Sequence, residues 1–309
     1  MLEIIKKIFK YIVHTDYRFL VNAGRGRYDS WEDEKFLRCK FKVCLGCELD
    51  LDTPKTFNEK LQWLKLYDRK PEYTIMVDKY AVKKYVADKI GEEYIIPTIG
   101  VWDSPDEIDF DALPDRFVLK CNHNSGLGMY ICRDKSKSDI EKVKAELRRG
   151  LAQDYYLTGR EWPYKNVVPR ILAEKYMEDS TTSELRDYKF FCFNGKPVYC
   201  QVISDRTSNE TIDFYDMDWQ HQSFTGLALP KKPFSNYPVP VPVSFDKMKK
   251  SAEILSKGIP FIRVDFYEIN GKMYFGELTF YPAAGFGVFS PDEWNYKLGD
   301  MINLPDKRG

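Results

Sequence analysis

No run of about 18 apolar residues occurs in the 309-residue chain, so no segment reads as a membrane-spanning helix. The amino end lacks the apolar core and small-residue cleavage site of a secretory leader. The expectation is a cytoplasmic protein, with peripheral contact at the inner face of a membrane as a variant of that reading. Net charge is also missing. The chain has 47 Lys and Arg against 47 Asp and Glu, which removes the electrostatic reason to expect nucleic acid as a partner. Histidine is scarce at three residues, and the seven cysteines are an odd number spread through strand-like runs. They read as free thiols in a reducing compartment rather than a disulfide framework. Cys44 and Cys47 form one CxxC with only Cys39 nearby, short of the four ligands of a structural zinc site. No GxxxxGK[ST] phosphate loop, internal repeat or low-complexity tract is present.

Aromatic residues, by contrast, are abundant at 15%, and the length suffices for two lobes around a large core. Leu2, Ile5, Ile8, Phe9, Ile12 and Val13 recur at helical spacing with Lys6, Lys7 and Lys10 among them. Residues 1–27 carry six Lys and Arg against two Asp and Glu, a local charge of +4. Such a helix either packs on its own domain, the favoured reading, or lies on an anionic membrane surface through residues 1–13.

Thr56 and Glu59 form a capping-box pattern before a helix over residues 56–67. Asp78 is placed to cap a second helix, Lys79 to Ile90, ended by Gly91. Strands are expected over Glu93 to Val101, Phe117 to Lys120, Met129 to Cys132 and Ile171 to Met177. Helices are expected over 136–151, 244–257 and 291–302, and a loop over 154–169. Asn194-Gly195 and Asn270-Gly271 signal two tight hairpins. The class is α+β with antiparallel hairpins, divided as a helical region (1–75), a small lobe (76–170) and a large lobe (171–309).

Three segments carry chemistry. Lys120 ends an apolar strand and is followed by the small, polar loop Asn122 to Gly128, an arrangement that lets backbone N–H groups face phosphate, with Ser125 and Gly126 at its tip. An edge-strand lysine beside an ordinary hairpin reads equally well. Ile171-Leu172-Ala173 runs into Glu174-Lys175-Tyr176-Met177, which reads either as an adenine-edge hinge or as a plain strand with an exposed ion pair. Asp265 and Glu277 flank the Asn270-Gly271 turn at similar distance, so they can converge on one face, and Arg263 shares that face by strand alternation. Paired carboxylates suit Mg²⁺, or simply pair with the arginine.

In this order the segments resemble the ATP-grasp superfamily, most closely its TupA-like branch in teichuronopeptide and polysaccharide biosynthesis. Phe57-Asn58-Glu59-Lys60-Leu61-Gln62-Trp63, Asp78-Lys79-Tyr80-Ala81-Val82-Lys83, Asp187-Tyr188-Lys189-Phe190 and Gly276-Glu277-Leu278-Thr279-Phe280 extend the likeness over Thr53 to Pro305. The resemblance implies two lobes with mixed or antiparallel sheets sandwiching ATP, after a short helical region. It implies Lys83 (or Lys84) and Lys120 on the phosphates and Glu174, Lys175, Tyr176 and Met177 at adenine. Asp187 (or Asp179 or Glu184) would hold the ribose, Lys189 would reach the phosphates, and Asp265 and Glu277 would bind Mg²⁺ with Arg263 catalytic beside Lys120. Thr279 stands where many relatives have a metal-binding Asn. His123, near this site, is expected to order the loop or touch phosphate. The implied activity is ADP-forming ligation of a carboxylate, such as a hexuronic acid of a capsule or wall precursor, to an amine. The rivals are a kinase on the same fold, a non-catalytic ATP-binding module, and a glycosyltransferase using the DxD at Asp216-Met217-Asp218.

Overall fold

The computed structural model describes residues 2–180, 185–204, 209–227 and 232–307, without the side chains of residues 2–5. The chain opens with helices α1 (Leu2–Val13), α2 (Thr15–Ala23), α3 (Asp33–Leu45), α4 (Phe57–Tyr67), α5 (Glu72–Val77) and α6 (Ala81–Ile90). The start of α4 follows from a reciprocal cap. Glu59 N–H donates to the Thr56 hydroxyl at 3.2 Å, and Thr56 N–H donates to the Glu59 carboxylate at 2.8 Å. Helix α6 begins at Ala81 rather than Lys79, because Asp78 accepts from the N–H groups of Tyr80 (2.8 Å) and Ala81 (3.2 Å). Helix α1 leans on α2 through Tyr11, whose hydroxyl donates to Asn22 at 2.8 Å, and through Lys10 over the Tyr17 ring at 4.6 Å. The expectation favoured its apolar stripe packing on the domain. Instead Ile8, Phe9, Ile12 and Val13 of the stripe are exposed, because Tyr11 at its edge makes the contact.

The first sheet is antiparallel, in the order β1 (Thr98–Trp102), β4 (Ile171–Lys175), β2 (Phe117–Cys121), β3 (Tyr130–Cys132). Strand β1 begins later than expected, since residues 92–94 form a 3-10 turn. The division at residues 170 and 171 separates β4 from the two strands it pairs with, because Ile171–Lys175 is the centre of this sheet rather than part of the second. Between β3 and β4 run α7 (Ile140–Leu151), four residues shorter at its start than expected, and α8 (Tyr155–Gly159). With the 3-10 turn Trp162–Tyr164, α8 gives structure to a segment expected to be loop. Alternation along β2 explains the packing. Phe117 and Leu119 join Ile171, Ala173, Val143 and Leu147 in a core against α7, while Val118 and Lys120 point the other way. Gly128 lets the loop after β2 meet α7, where an added Cβ would lie 2.9 Å from Gly150 Cα.

The second sheet has the order β10 (Lys272–Thr279), β9 (Phe261–Ile269), β5 (Asp187–Phe193), β6 (Lys196–Ser204), β7 (Thr211–Asp216). Strands β8 (Thr225–Gly226) and β11 (Phe289–Ser290) form a small separate pair, and α9 (Phe245–Ser256) and α10 (Glu293–Asp300) complete the described elements. Both Asn-Gly pairs make the hairpin turns, with positive φ at Asn194 (50°), Gly195 (84°), Asn270 (51°) and Gly271 (73°). Every residue of β5 is buried because both faces are covered. On one side Phe190 packs on Phe245 of α9 with centroids 5.9 Å apart. On the other, Phe57 of α4 meets Phe261 edge-on at 4.8 Å. Each buried ring contributes about 1.5–3 kcal/mol. The second face of this sheet continues past its aromatic end into a row of charged side chains.

Candidate active site

A cavity of about 470 Å³ lies between the two sheets, a size suited to a nucleotide. Val118, Lys120 and Glu174 line it from the first sheet, with Met129 and Ile131 at its rim. Asp187, Tyr267, Phe275 and Gly276 line it from the second. Gly276 sits at a bulge opposite Asp265, where an added Cβ would lie 3.0 Å from the Asp265 carbonyl oxygen.

One charge cluster, Lys83, Lys120 and Glu174, lines this space. A second adjoins it through Asp187, a lining residue, but its own members Lys189, Arg263, Asp265 and Glu277 do not line the cavity. On the first sheet, Glu174 is held between Lys83 Nζ (2.6 Å) and Lys120 Nζ (2.6 Å), and Lys83 also donates to the Ile96 carbonyl at 2.7 Å. Burial opposes ionisation of Glu174, but Lys120 and Lys83 outweigh it and hold the carboxyl below its usual range. Burial in turn lowers Lys83, offset in part by Glu174. Lys84, the alternative to Lys83, is exposed and pairs with Asp88 at 3.0 Å on the outer face of α6.

The second cluster follows from register. Glu277 pairs with Asp265 and Thr279 with Arg263 across β9 and β10, while Lys189 of β5 lies opposite Asp265. Strand alternation sends these side chains to one face. Arg263 donates from Nε and Nη2 to the two oxygens of Asp265, both at 2.7 Å. The same Nη2 reaches Glu277 at 2.7 Å and the Thr279 hydroxyl at 3.1 Å. Lys189 Nζ lies 2.5 Å from Asp265 and 3.4 Å from Asp187. Burial pushes Asp265 up, so its ionisation depends on Arg263 and Lys189. Burial also opposes ionisation of Glu277, yet Arg263, Lys189 and Lys79 hold its carboxyl at about 2.

The remaining candidates occupy less uniform positions. Lys175, Tyr176 and Met177 line the cavity, but Lys175 spends its N–H on the Pro97 carbonyl at 3.0 Å. The Arg116 guanidinium lies over the Tyr176 ring at 5.1 Å. Asp179 also lines the cavity and accepts from Asn270 N–H at 2.8 Å, bracing the β9–β10 turn. Glu184 lies outside the described residues. Ser125 and Gly126 are exposed at the loop tip and do not line the cavity. His123 Nε2 lies 3.0 Å from the Gln153 carbonyl, and Asn124 donates to the Gly150 carbonyl at 3.1 Å, so both side chains tie the loop to the end of α7.

Lys79 is the functional residue that sequence reasoning passed over. It lines the cavity and donates to the Asn124 carbonyl. It interacts electrostatically with both Lys120 and Glu277 and so joins the two clusters. Burial lowers it to about 8, against the pull of Glu277. Its signal was its place directly after the capping Asp78, in a segment read as a helix start and as part of the family resemblance, with Lys83 rather than Lys79 taken as its phosphate ligand. A second feature had no local signal. Lys65 of α4, fully buried, donates to Gln62 Oε1 (2.9 Å), the Gly159 carbonyl (2.8 Å) and the Ala284 carbonyl (2.7 Å). Burial pulls Lys65 down and pushes the neighbouring Glu161 up, each to about 7.

A family model described as TupA-like ATPgrasp matches residues 59–303. The chain belongs to the TupA-like ATP-grasp family. No curated protein matches it. Among solved structures it is similar to the D-alanine–D-alanine ligase of Bacillus anthracis complexed with ATP, at 17% identity and TM-score 0.39, over 66% of this chain and 55% of that one. The Helicobacter pylori D-alanine–D-alanine ligase matches at 12% and 0.42, over 81% and 70%. The D-alanyl-alanine synthetase A of Vibrio cholerae matches at 10% and 0.42, over 88% and 69%. The chain thus spans little more than half the length of the first of these.

In this ATP-grasp chain the donor set of Asp265, Glu277 and the Thr279 hydroxyl suits Mg²⁺, which takes one or two carboxylates and completes its shell with phosphate oxygens and water. Among the described residues no group of three or more His, Cys, Asp and Glu forms a protein-only metal cage.

Proposed function

We propose that the protein is an ADP-forming carboxylate–amine ligase that works through an acyl phosphate, with a hexuronic or other acidic group of a glycan precursor as acceptor. The carrying observation is a nucleotide-sized cavity lined by Lys83, Glu174, Lys120 and Lys79, with the Lys189–Asp265–Arg263–Glu277 cluster next to it, joined to the lining through Asp187 and Lys79. Family membership supports ATP as the phosphoryl donor.

In this reading Lys83 and Lys120 hold phosphate oxygens, with Glu174 fixing both ammonium groups in place. Tyr176 and Met177 border the base, and Asp187 takes the ribose. Asp265, Glu277 and Thr279 would hold Mg²⁺, which supplies charge neutralisation on the phosphates when bound. An acceptor carboxylate oxygen attacks the γ-phosphorus as the bond to the β-phosphate oxygen breaks, and ADP departs. Arg263 and Lys189 neutralise charge on the transferring group, so the protein's work is positioning and electrostatics. The amine then attacks the acyl carbon and phosphate leaves, giving an amide. The DxD alternative has no such setting. Asp216 closes its own turn by accepting from the N–H groups of Asp218 (3.0 Å) and Gln220 (2.8 Å), and Asp218 is exposed.

The test is ADP release over a panel of uronic acids and amines, with and without Mg²⁺. The expected result is release that needs a carboxylate and Mg²⁺ and is lost in Asp265→Asn and Glu277→Gln variants that still fold. Release indifferent to both substitutions would remove the second cluster from the reaction.

A further inference from the structure

We infer that α1 is a docking helix for an anionic lipid surface. Ile8, Phe9, Ile12 and Val13 are 55%, 64%, 65% and 53% exposed, although they form one continuous apolar face of a regular helix. Burying such a face is what normally stabilises a short helix, since isolated helices of this length are marginal in water. Among the described residues, α1 is held by the edge contact at Tyr11, the cation–π contact of Lys10 with Tyr17 and a hydrogen bond from Arg18 Nη1 to the Ile12 carbonyl at 3.1 Å, none of which covers the apolar side chains. The apolar face itself has no partner among the described residues.

Charge selects the occupant. Lys6 and Lys10 border the apolar face beyond Val13, and Lys7 borders Tyr11, all three exposed. Residues 1–27 carry +4 in a chain whose formal net charge is zero, so the remaining residues carry −4. The net charge of the whole molecule therefore gives no attraction to an anionic surface, and it is the segment that exposes the apolar side chains that carries a local net positive charge. Apolar side chains bordered by lysines match the boundary between acyl chains and anionic headgroups. The rings and branched chains sink below the headgroups while the ammonium groups remain among them. Pairing with a second copy would bring two +4 segments together, which charge opposes. The 12 described residues of α1 reach about 18 Å, short of a hydrocarbon core of about 30 Å, which suits a helix lying on the surface.

The helix has the geometry to lie in the plane of the surface, tethered to the rest of the protein through Tyr11–Asn22. The tether uses an edge of the helix and leaves the apolar face free, so docking does not require α1 to leave α2.

The experiment is vesicle flotation of the full chain, using phosphatidylcholine alone and an equimolar mixture with phosphatidylglycerol. The wild type is expected to float with the mixture, to float weakly with phosphatidylcholine alone, and to be released by added salt. Each Lys→Gln substitution at Lys6, Lys7 or Lys10 should weaken binding about fivefold, from about 1 kcal/mol per basic residue at such a surface. Phe9→Asp together with Ile12→Asp should abolish binding, with urea unfolding of the chain unchanged because neither side chain enters the core. No binding to the anionic mixture overturns the proposal, and so does equal binding to both vesicles. Undiminished binding by the Phe9→Asp, Ile12→Asp variant would mean that another surface carries the affinity. A wild type that ignores vesicles but is a dimer, with the same variant monomeric, would assign the face to a second copy instead.

Discussion

Glu174 shows how a single residue organises the lysine-lined side of the cavity. It is buried and shared by two lysines at equal distance, so removing either lysine leaves the carboxylate paired. Lys120→Ala should therefore stay folded while ATP turnover falls by about a hundredfold or more, the scale of losing one charge-stabilising donor. Unchanged turnover in a folded variant would take Lys120 out of the site. The double variant Lys83→Ala with Lys120→Ala orphans a buried carboxylate. It should lose about 1–3 kcal/mol more stability than the two single losses together, as read by urea unfolding. Lys79 gives a pH signature. Its charge is lost as pH rises through about 8, so ATP affinity should fall across that range, and Lys79→Gln should flatten the profile. The folded state binds this proton less tightly than the unfolded chain, so the same group's contribution to stability should rise with pH. Titration calorimetry and urea unfolding at matched pH separate the two trends. What the short motifs made legible is placement: Lys83, Lys120 and Glu174 line the cavity, and Lys189, Arg263, Asp265 and Glu277 gather in one cluster on the second sheet. Lys79 was hidden because a lysine beside a helix cap has an ordinary local explanation.

At the scale of elements, turns and caps were the most legible. The Thr56–Glu59 box and both Asn-Gly hairpins act through neighbours in sequence, so local chemistry decides them. Strand partnership was not legible. Ile171–Lys175 is an apolar run suited to either sheet, and only its long-range pairing with β1 and β2 assigns it. Helix α4 makes the same point through Lys65, which fastens α8 and the turn at residues 282–285 from far away in sequence. Lys65→Met should leave two acceptors, Gln62 Oε1 and the Gly159 carbonyl, without a donor, while the Ala284 carbonyl keeps Gln62 Nε2 at 3.3 Å. A loss of about 3 kcal/mol or more is expected in urea unfolding. A loss below about 1 kcal/mol would mean that these carbonyls find other partners.

For the whole molecule, residues of two sheets line one cavity, a mixed-charge cluster lines it from the first sheet and a second such cluster adjoins it on the second, and an amphipathic helix stands at the amino end. In the proposed reading, that arrangement would join phosphate binding at the lysines to carboxylate and metal chemistry at the neighbouring cluster. The acceptor is the least legible part, because the helical region before the first sheet is short and no motif in it names a substrate. The central claim, that the acceptor is activated as an acyl phosphate, is tested most directly by trapping with hydroxylamine, which intercepts a mixed anhydride but not a phosphate ester. With ATP, Mg²⁺ and a uronic acid acceptor, hydroxylamine should replace the amine and yield a hydroxamate in step with ADP. A stable phosphorylated sugar with no hydroxamate would contradict the account and make the protein a kinase on the same fold.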